Sequence, residues 1–313
     1  MELISIEDVR AAAADIAGTV VRTPLLPASW DDALWLKPES LQPVGSFKLR
    51  GATHAVARID PAVRARGVVT HSSGNHGQAL AYAARSAGVA CRVVVPEGAP
   101  TVKVDRIRAR GAEVVLVPPA RRLAEAERIA AETGGTLVPP FDDRHVIAGQ
   151  GTIGLEIVED LPDVDVVLVP VGGGGLSSGV ATAVKALRPS AAVIGVEPLL
   201  AADARESLAA GEVVLWDVER TQRTSADGLR THLSDLTLAH LRDRIDGIVT
   251  VTEEEIALAM ARLVREARLV VEPSGAVAAA ARLFHADDLP AGRTVAVVTG
   301  GNVDPAVLAG VLG

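Results

Sequence analysis

The sequence predicts an α/β protein made of two open parallel-sheet lobes, the smaller inserted in the larger. Three observations point there. From Gly67 onward, short runs rich in β-branched residues alternate with longer amphipathic stretches, and Gly or Pro marks the joints. The runs are apolar throughout, as strands must be when helices cover both faces of a parallel sheet. The chain of 313 residues is 49% hydrophobic, enough for one large domain or two of ordinary size.

Taken in order, residues from Ile6 to about Thr19 form a surface helix with an alanine-rich face. Thr23-Pro24-Leu25 is extended, because the residue before proline avoids the helical region. Leu34 to Lys37 is a short strand running into Pro38, and a helix from about Lys48 to Arg58 follows a Gly45-Ser46 start. The alternation then runs strand Val68–Thr70, helix Gly77–Ala87, strand Arg92–Val95, helix Thr101–Arg110, strand Glu113–Val117, helix Arg121–Thr133 and a short strand Thr136–Val138.

His145 to Glu159 is a long helix entered through Asp142-Asp143. A buried strand from Asp165 ends in the four glycines Gly172 to Gly175, and Leu176 to Leu187 is the helix after it. Ala192–Val196 and Gly247–Val251 are strands. Thr252 and Glu255 form a capping box opening a helix whose apolar face is Ile256, Met260, Leu263 and Val264. Ser274–His285 is a helix and Thr294–Val298 the last strand, leading into Thr299-Gly300-Gly301-Asn302. This order places a small lobe at residues 67–144 inside a large lobe made of 1–66 and 145–313. A cleft between such lobes, at the carboxyl ends of strands, is a preferred ligand site.

Composition excludes several function classes. The net charge of -8 argues against a nucleic-acid partner. No apolar run reaches the roughly 18 residues of a membrane span. The acidic start, Met-Glu-Leu-Ile-Ser-Ile-Glu-Asp, does not read as a signal peptide. Cys91, the single cysteine, begins a strand; it leaves no internal disulfide and no CxxC metal site, and the expectation is a reducing cytoplasm.

Chemistry concentrates at four strand ends and one helix start. The chain uses arginine for most positive charges and holds only four lysines, Lys37, Lys48, Lys103 and Lys185. A guanidinium cannot attack a carbonyl, whereas an amine with a lowered pKa can. Lys48, in Gly45-Ser-Phe-Lys-Leu-Arg-Gly-Ala52, is therefore a candidate nucleophile, although alone it reads equally as a solvated helix residue. His71-Ser-Ser-Gly-Asn-His-Gly77 joins a strand to a helix start, where hydroxyls and free N–H groups receive an anion such as a carboxylate. Gly172 to Gly175 form a nest for a phosphate. A dinucleotide fingerprint does not fit there, since the last position falls on Ser177 or Ser178, or the middle one on Leu176. Glu197 and Asp203 flank one turn after a strand, which suits magnesium or calcium or is a capped turn with solvated acids. Thr299 could place a hydroxyl against an aromatic nitrogen or close a turn.

Together these segments resemble the pyridoxal-phosphate enzymes of the tryptophan-synthase-like fold, in the serine/threonine dehydratase and serine racemase group. The resemblance runs over nearly the whole chain. Gly45-Ser-Phe-Lys48-Leu-Arg-Gly-Ala is similar to the Schiff-base lysine motif, Ser72-Ser-Gly-Asn-His-Gly to the substrate-carboxylate loop, and Ala148-Gly-Gln-Gly-Thr152 to a helix start typical of the group. It implies a cleft cofactor, pyridoxal 5'-phosphate, held by Phe47, Lys48, Asn75, Gly172, Gly173, Gly174, Gly175, Leu176 and Thr299. It implies substrate contacts at Ser72, Ser73, Gly74, Asn75 and His76, with Lys48 and Ser73 as catalytic groups.

Ser73 stands where many plain threonine dehydratases carry alanine and racemase-like members carry serine. Glu197, Ala201 through its carbonyl, and Asp203 match that branch's cation site for Mg2+ (or Ca2+ or Mn2+). Val44 stands where the branch often has threonine, and Phe141 is common in dehydratases. The activity implied is β-elimination of L-serine and L-threonine to a 2-oxo acid and ammonia. Amino-acid racemisation and 3-hydroxyaspartate dehydration are alternatives, and a non-catalytic nucleotide binder is the reading from another class. A homodimer is implied as well.

Overall fold

The computed structural model describes residues 2–313. Ten strands form two sheets. They are β1 (Leu26–Pro27), β2 (Leu34–Pro38), β3 (Val68–His71), β4 (Cys91–Pro96), β5 (Glu113–Val117), β6 (Thr136–Leu137), β7 (Val166–Pro170), β8 (Ala192–Pro198), β9 (Gly247–Val251) and β10 (Thr294–Val298). The large sheet has the order β1-β2-β10-β7-β8-β9 and the small one β5-β4-β3-β6. All pairings are parallel except β1 with β2, so the large sheet has one antiparallel edge that the sequence pattern did not predict.

Strand periodicity of two sorts the large core into two layers. Leu168, Val196, Ala296 and Val298 face helices Glu253–Arg262 and Pro273–Phe284 through Ile256, Met260, Ala276 and Val277. Their neighbours Val167, Val169, Val193, Val295 and Val297 face helices Arg144–Asp160 and Gly175–Leu187 through Ile153, Ile157, Val180 and Val184. Both faces are covered, which is why these strands are apolar at nearly every position, Glu197 and Thr294 apart. The small sheet repeats the scheme. Val68, Val93 and Val95 pack with Leu49, Ala52, Val56, Ala79 and Leu80, and on the other face Val69, Val94 and Val117 meet Ala126 and Ile129. The Lys48 helix thus lends its apolar side to the core of the small sheet.

That helix, Lys48–Arg58, is held from two directions. A Cβ at Gly149 would lie 2.6 Å from Gly51 Cα, so two glycines let helix Arg144–Asp160 cross it at backbone contact. Behind the crossing lies a buried ion network with two cations and two anions. Arg50 donates to both oxygens of Glu39 (2.8 Å each) and of Glu156 (2.6 and 2.9 Å), and Lys37 donates to Glu156 (2.6 Å) and to the Thr23 carbonyl (2.6 Å). Arg50, Lys37 and Glu39 are wholly buried. The opposed charges offset the cost of dehydration, which neither sign could meet alone.

Local readings needed correction in three places. Ser46 does not cap the Lys48 helix; Phe47 precedes its first residue, no side chain caps it, and the Ser46 hydroxyl is buried without a partner. Ser46 instead makes a bridge to Gly300. The helix after β3 begins at Asn75, two residues before Gly77. Helices Asp203–Ala210, Asp235–Arg244 and Pro305–Leu312 were not foreseen, because they are short and lack a clean apolar stripe against polar faces. Among the described residues no helix is long and apolar enough to cross a membrane.

Candidate active site

Parallel registry brings the strand ends together. β10 pairs with β2 and β7, and β7 with β8, so the loops after β7 and β10 open at the same edge as the start of the Lys48 helix. The loop after β3 reaches this edge from the small sheet. A cavity of about 360 Å³ lies between them. Phe47, Lys48, Ser72, Ser73, Gly74, Asn75, His76, Gly172, Gly173, Gly174, Gly175, Leu176 and Thr299 all line it, though they come from four separate stretches of chain.

Lys48 is the unpaired amine of the cavity among the described residues, since Lys103 on its wall pairs with Asp227. Its Nζ donates to the Pro140 carbonyl (2.7 Å) and lies 5.0 Å from the Phe47 ring centre. Among the described residues no salt-bridge partner offsets its dehydration, and burial lowers its pKa to about 8. His76 is buried and its Nε2 donates to the Val138 carbonyl (3.0 Å); burial and the Lys48 charge push it down to about 3, so it is neutral and holds the loop. In that loop the Gly74 N–H donates to Ser72 Oγ (3.2 Å), and helix Asn75–Ser86 starts at once, presenting first-turn N–H groups.

The glycine run is a cradle with no space for side chains. A Cβ at Gly173 would sit 2.5 Å from the Phe141 ring, at Gly175 2.9 Å from Phe141 Cβ, and at Gly172 3.0 Å from Leu229 Cα. Gly174 has φ +83°, where L residues are strained, and it precedes the first turn of helix Gly175–Leu187. Exposed N–H groups at a helix N-terminus make this an anion site. Thr299 Oγ1 donates to the Ser274 carbonyl (3.2 Å), leaving its oxygen lone pairs at the cavity wall.

Several lining residues carry no assigned role in the sequence reading, and Glu272, Arg106 and Arg122 do not figure in it at all. Glu272 precedes Pro273 and reads as an ordinary helix cap, yet it is buried and accepts from Asn75 Nδ2 (2.6 Å). Burial, followed by the Asp227 charge, raises its carboxyl to about 7. Asn302 Nδ2 donates to Asn75 Oδ1 (2.8 Å) and to the Val44 carbonyl (2.8 Å). Phe141 backs the glycines. His71, Lys103, Arg106 and Arg122 give the cavity a basic side, where Lys103 pairs with Asp227 (2.8 Å). Nothing local marks Arg106 and Arg122, since arginines abound on this chain.

Glu197 and Asp203 lie apart from the cavity lining. Glu197 accepts from the Ala204 and Arg205 N–H groups (2.9 and 2.8 Å), so it caps helix Asp203–Ala210. The acids are not solvated: both are buried, which pushes Glu197 up to about 8 and raises Asp203, and among the described residues Asp203 Oδ2 has no hydrogen-bond partner. Among the described residues no three His, Cys, Asp or Glu side chains cluster as metal ligands, so any cation here would complete its shell with waters or with backbone carbonyls such as that of Ala201.

The cavity fits pyridoxal phosphate on its own chemistry. It offers a reactive amine, a side-chain-free anion cradle backed by Phe141, and a hydroxyl at Thr299. Comparisons with known proteins agree. A family described as "Pyridoxal-phosphate dependent enzyme" matches residues 16–300. The chain is 40% identical to serine racemase of Oryza sativa subsp. indica over 97% of its length and 92% of the relative's. It is 40% identical to beta-hydroxyaspartate dehydratase of Paracoccus denitrificans, covering 97% and 98%. The solved structure of maize serine racemase superposes with a TM-score of 0.93 at 37% identity, covering 99% of this chain and 97% of that one. A chain matched over that extent, with these loops around one amine-bearing cavity, belongs to the pyridoxal-phosphate dependent enzyme family.

Proposed function

We propose that this enzyme is a dehydratase that converts L-serine and L-threonine to a 2-oxo acid and ammonia by β-elimination. The observation that carries the reading is the convergence on one cavity of the dehydrated Lys48 amine, the Ser72–Asn75 loop at a helix start, and the glycine cradle. Lys48 would hold the cofactor covalently, and the cradle would hold its phosphate. When bound, pyridoxal phosphate supplies the electron sink for the pair left at Cα. The Ser72 hydroxyl and the Asn75 N–H at the helix start bind the substrate carboxylate. Lys48, with its pKa near neutrality, takes the Cα proton. Phe47 and Phe141 exclude water. The Thr299 hydroxyl, turned from the Ser274 carbonyl to donate its single proton to a ring nitrogen, would leave that nitrogen unprotonated, as a carboxylate would not, which favours elimination over transamination.

Two other readings rest on specific residues. Ser73 on the cavity wall is a second hydroxyl that could return a proton to Cα, as a racemase requires. The basic side formed by His71, Arg106 and Arg122 would accept a second carboxylate, as in 3-hydroxyaspartate. The lobe division at residues 67–144, a homodimer, and a cation held by Glu197, Asp203 and the Ala201 carbonyl belong to the same proposal. The cation is supported by the buried, unpartnered Asp203 Oδ2.

The test is an assay of 2-oxo acid and D-isomer release from L-serine, L-threonine and 3-hydroxyaspartate, with Lys48→Ala as control. Turnover of the first two that vanishes in the variant is the expected result. Wild-type protein that binds no cofactor, or a fully active variant, removes the proposal.

A further inference from the structure

Glu272 and Asn75 lie 197 residues apart in sequence, yet their side chains meet at 2.6 Å beside the cavity. The contact is built on both sides. A Cβ on Gly300 would stand 2.3 Å from Glu272 Oε1, so only glycine there leaves space for the carboxylate. The Glu272 N–H donates to the Gly300 carbonyl (3.0 Å), fixing the backbone that carries the acid.

The hydrogen-bond inventory then determines the Asn75 amide. An ionised carboxylate only accepts, so the group facing Glu272 must be the Asn75 NH2. On the other side Asn302 spends its two N–H bonds on the Val44 carbonyl and Asn75 Oδ1, so the group facing Asn302 must be the Asn75 oxygen. Both constraints select one amide orientation. One N–H of Asn75 stays uncommitted, on a residue that lines the cavity.

We propose that Glu272 is a positioning residue for the cofactor, holding the Asn75 amide so that it offers an N–H, not a carbonyl, to an oxygen acceptor of the bound group. This rests on the cofactor assignment above. Without Glu272 only Asn302 holds the amide, and the uncommitted N–H is less firmly aimed at the acceptor.

The experiment titrates apoenzyme with pyridoxal phosphate, following visible absorbance and tryptophan fluorescence, in a double-mutant cycle. Glu272→Met fills the space without accepting, and is expected to weaken cofactor binding about tenfold, the size of one charge-assisted hydrogen bond. Glu272→Gln retains an accepting oxygen and should recover most of that loss. In an Asn75→Ala background, Glu272→Met should change affinity by less than about twofold, because its effect passes through Asn75. An undiminished effect in that background, or none in either, overturns the proposal. Glu272→Ala repeats the cycle if the Met variant does not fold. Wild-type protein that binds no cofactor defeats the cofactor assignment instead, and is thereby distinguished.

Discussion

Lys48 yields the most quantitative expectation, because its environment is simple: burial, no ion-pair partner, and a pKa lowered from 10.5 to about 8. At pH 7.5 the neutral, nucleophilic fraction rises from about 0.1% to about 24%, a gain of roughly two hundredfold from dehydration alone. The assay is competitive acetylation of apoenzyme with limiting acetic anhydride, read lysine by lysine by mass spectrometry, with a free acetyl-lysine standard in each tube. Lys48 labelling should reach half its plateau near pH 8, while the standard continues to climb.

The same shift makes a stability statement. Between pH 8 and 10.5 the unfolded chain holds more protons than the folded one at this site, so apoenzyme stability rises with pH across that window. Below pH 8 both states are protonated and the whole penalty is present. Lys48→Met should therefore stabilise the apoenzyme at neutral pH, by at most about 3 kcal/mol, less the lost bond to Pro140. Labelling of Lys48 that parallels the standard through pH 10 refutes the reasoning, whatever the activity of the enzyme.

Four further outcomes are expected. Gly173→Ala forces a Cβ to 2.5 Å from the Phe141 ring and should weaken cofactor binding by about 1–3 kcal/mol in a reconstitution titration, with partial relief from Phe141→Ala. Ser73→Ala should retain most dehydration of L-serine while abolishing any D-serine formation; equal loss of both in parallel assays assigns Ser73 to substrate binding. Chelation should lower the melting temperature and added magnesium restore it, since a site filled at a hundred times its Kd stabilises by about 2.7 kcal/mol; a flat melting curve returns Glu197 to a helix cap. Arg50→Met leaves Glu39 and Glu156 buried with only Lys37 between them, and should cost about 3–5 kcal/mol in a denaturant titration.

Much of this molecule was legible one stretch at a time. The strands after Gly67 were read within a residue or two of their observed limits, because a strand covered on both faces must be apolar throughout and that requirement is local. The four glycines and the isolated lysine stood out for the same reason: each is a composition that helices and strands seldom need. Capping signals were less secure. Thr252 with Glu255 does cap its helix, whereas Ser46 pairs with Gly300 from the far end of the chain.

Sequence by itself determined the fold class, the candidate amine, and the loops that line the cavity with it, because periodicity, turn residues and residue chemistry act over a few neighbours. Only the tertiary structure decided which charges are buried and what they meet. Arg50 and Glu156 are 106 residues apart, and Glu272 looks like any acid before a proline until Asn75 and Gly300 close around it. The role of an ionisable group depends on its desolvation and on the donor or cation that offsets it. Both come from distant segments, so no window of sequence contains them.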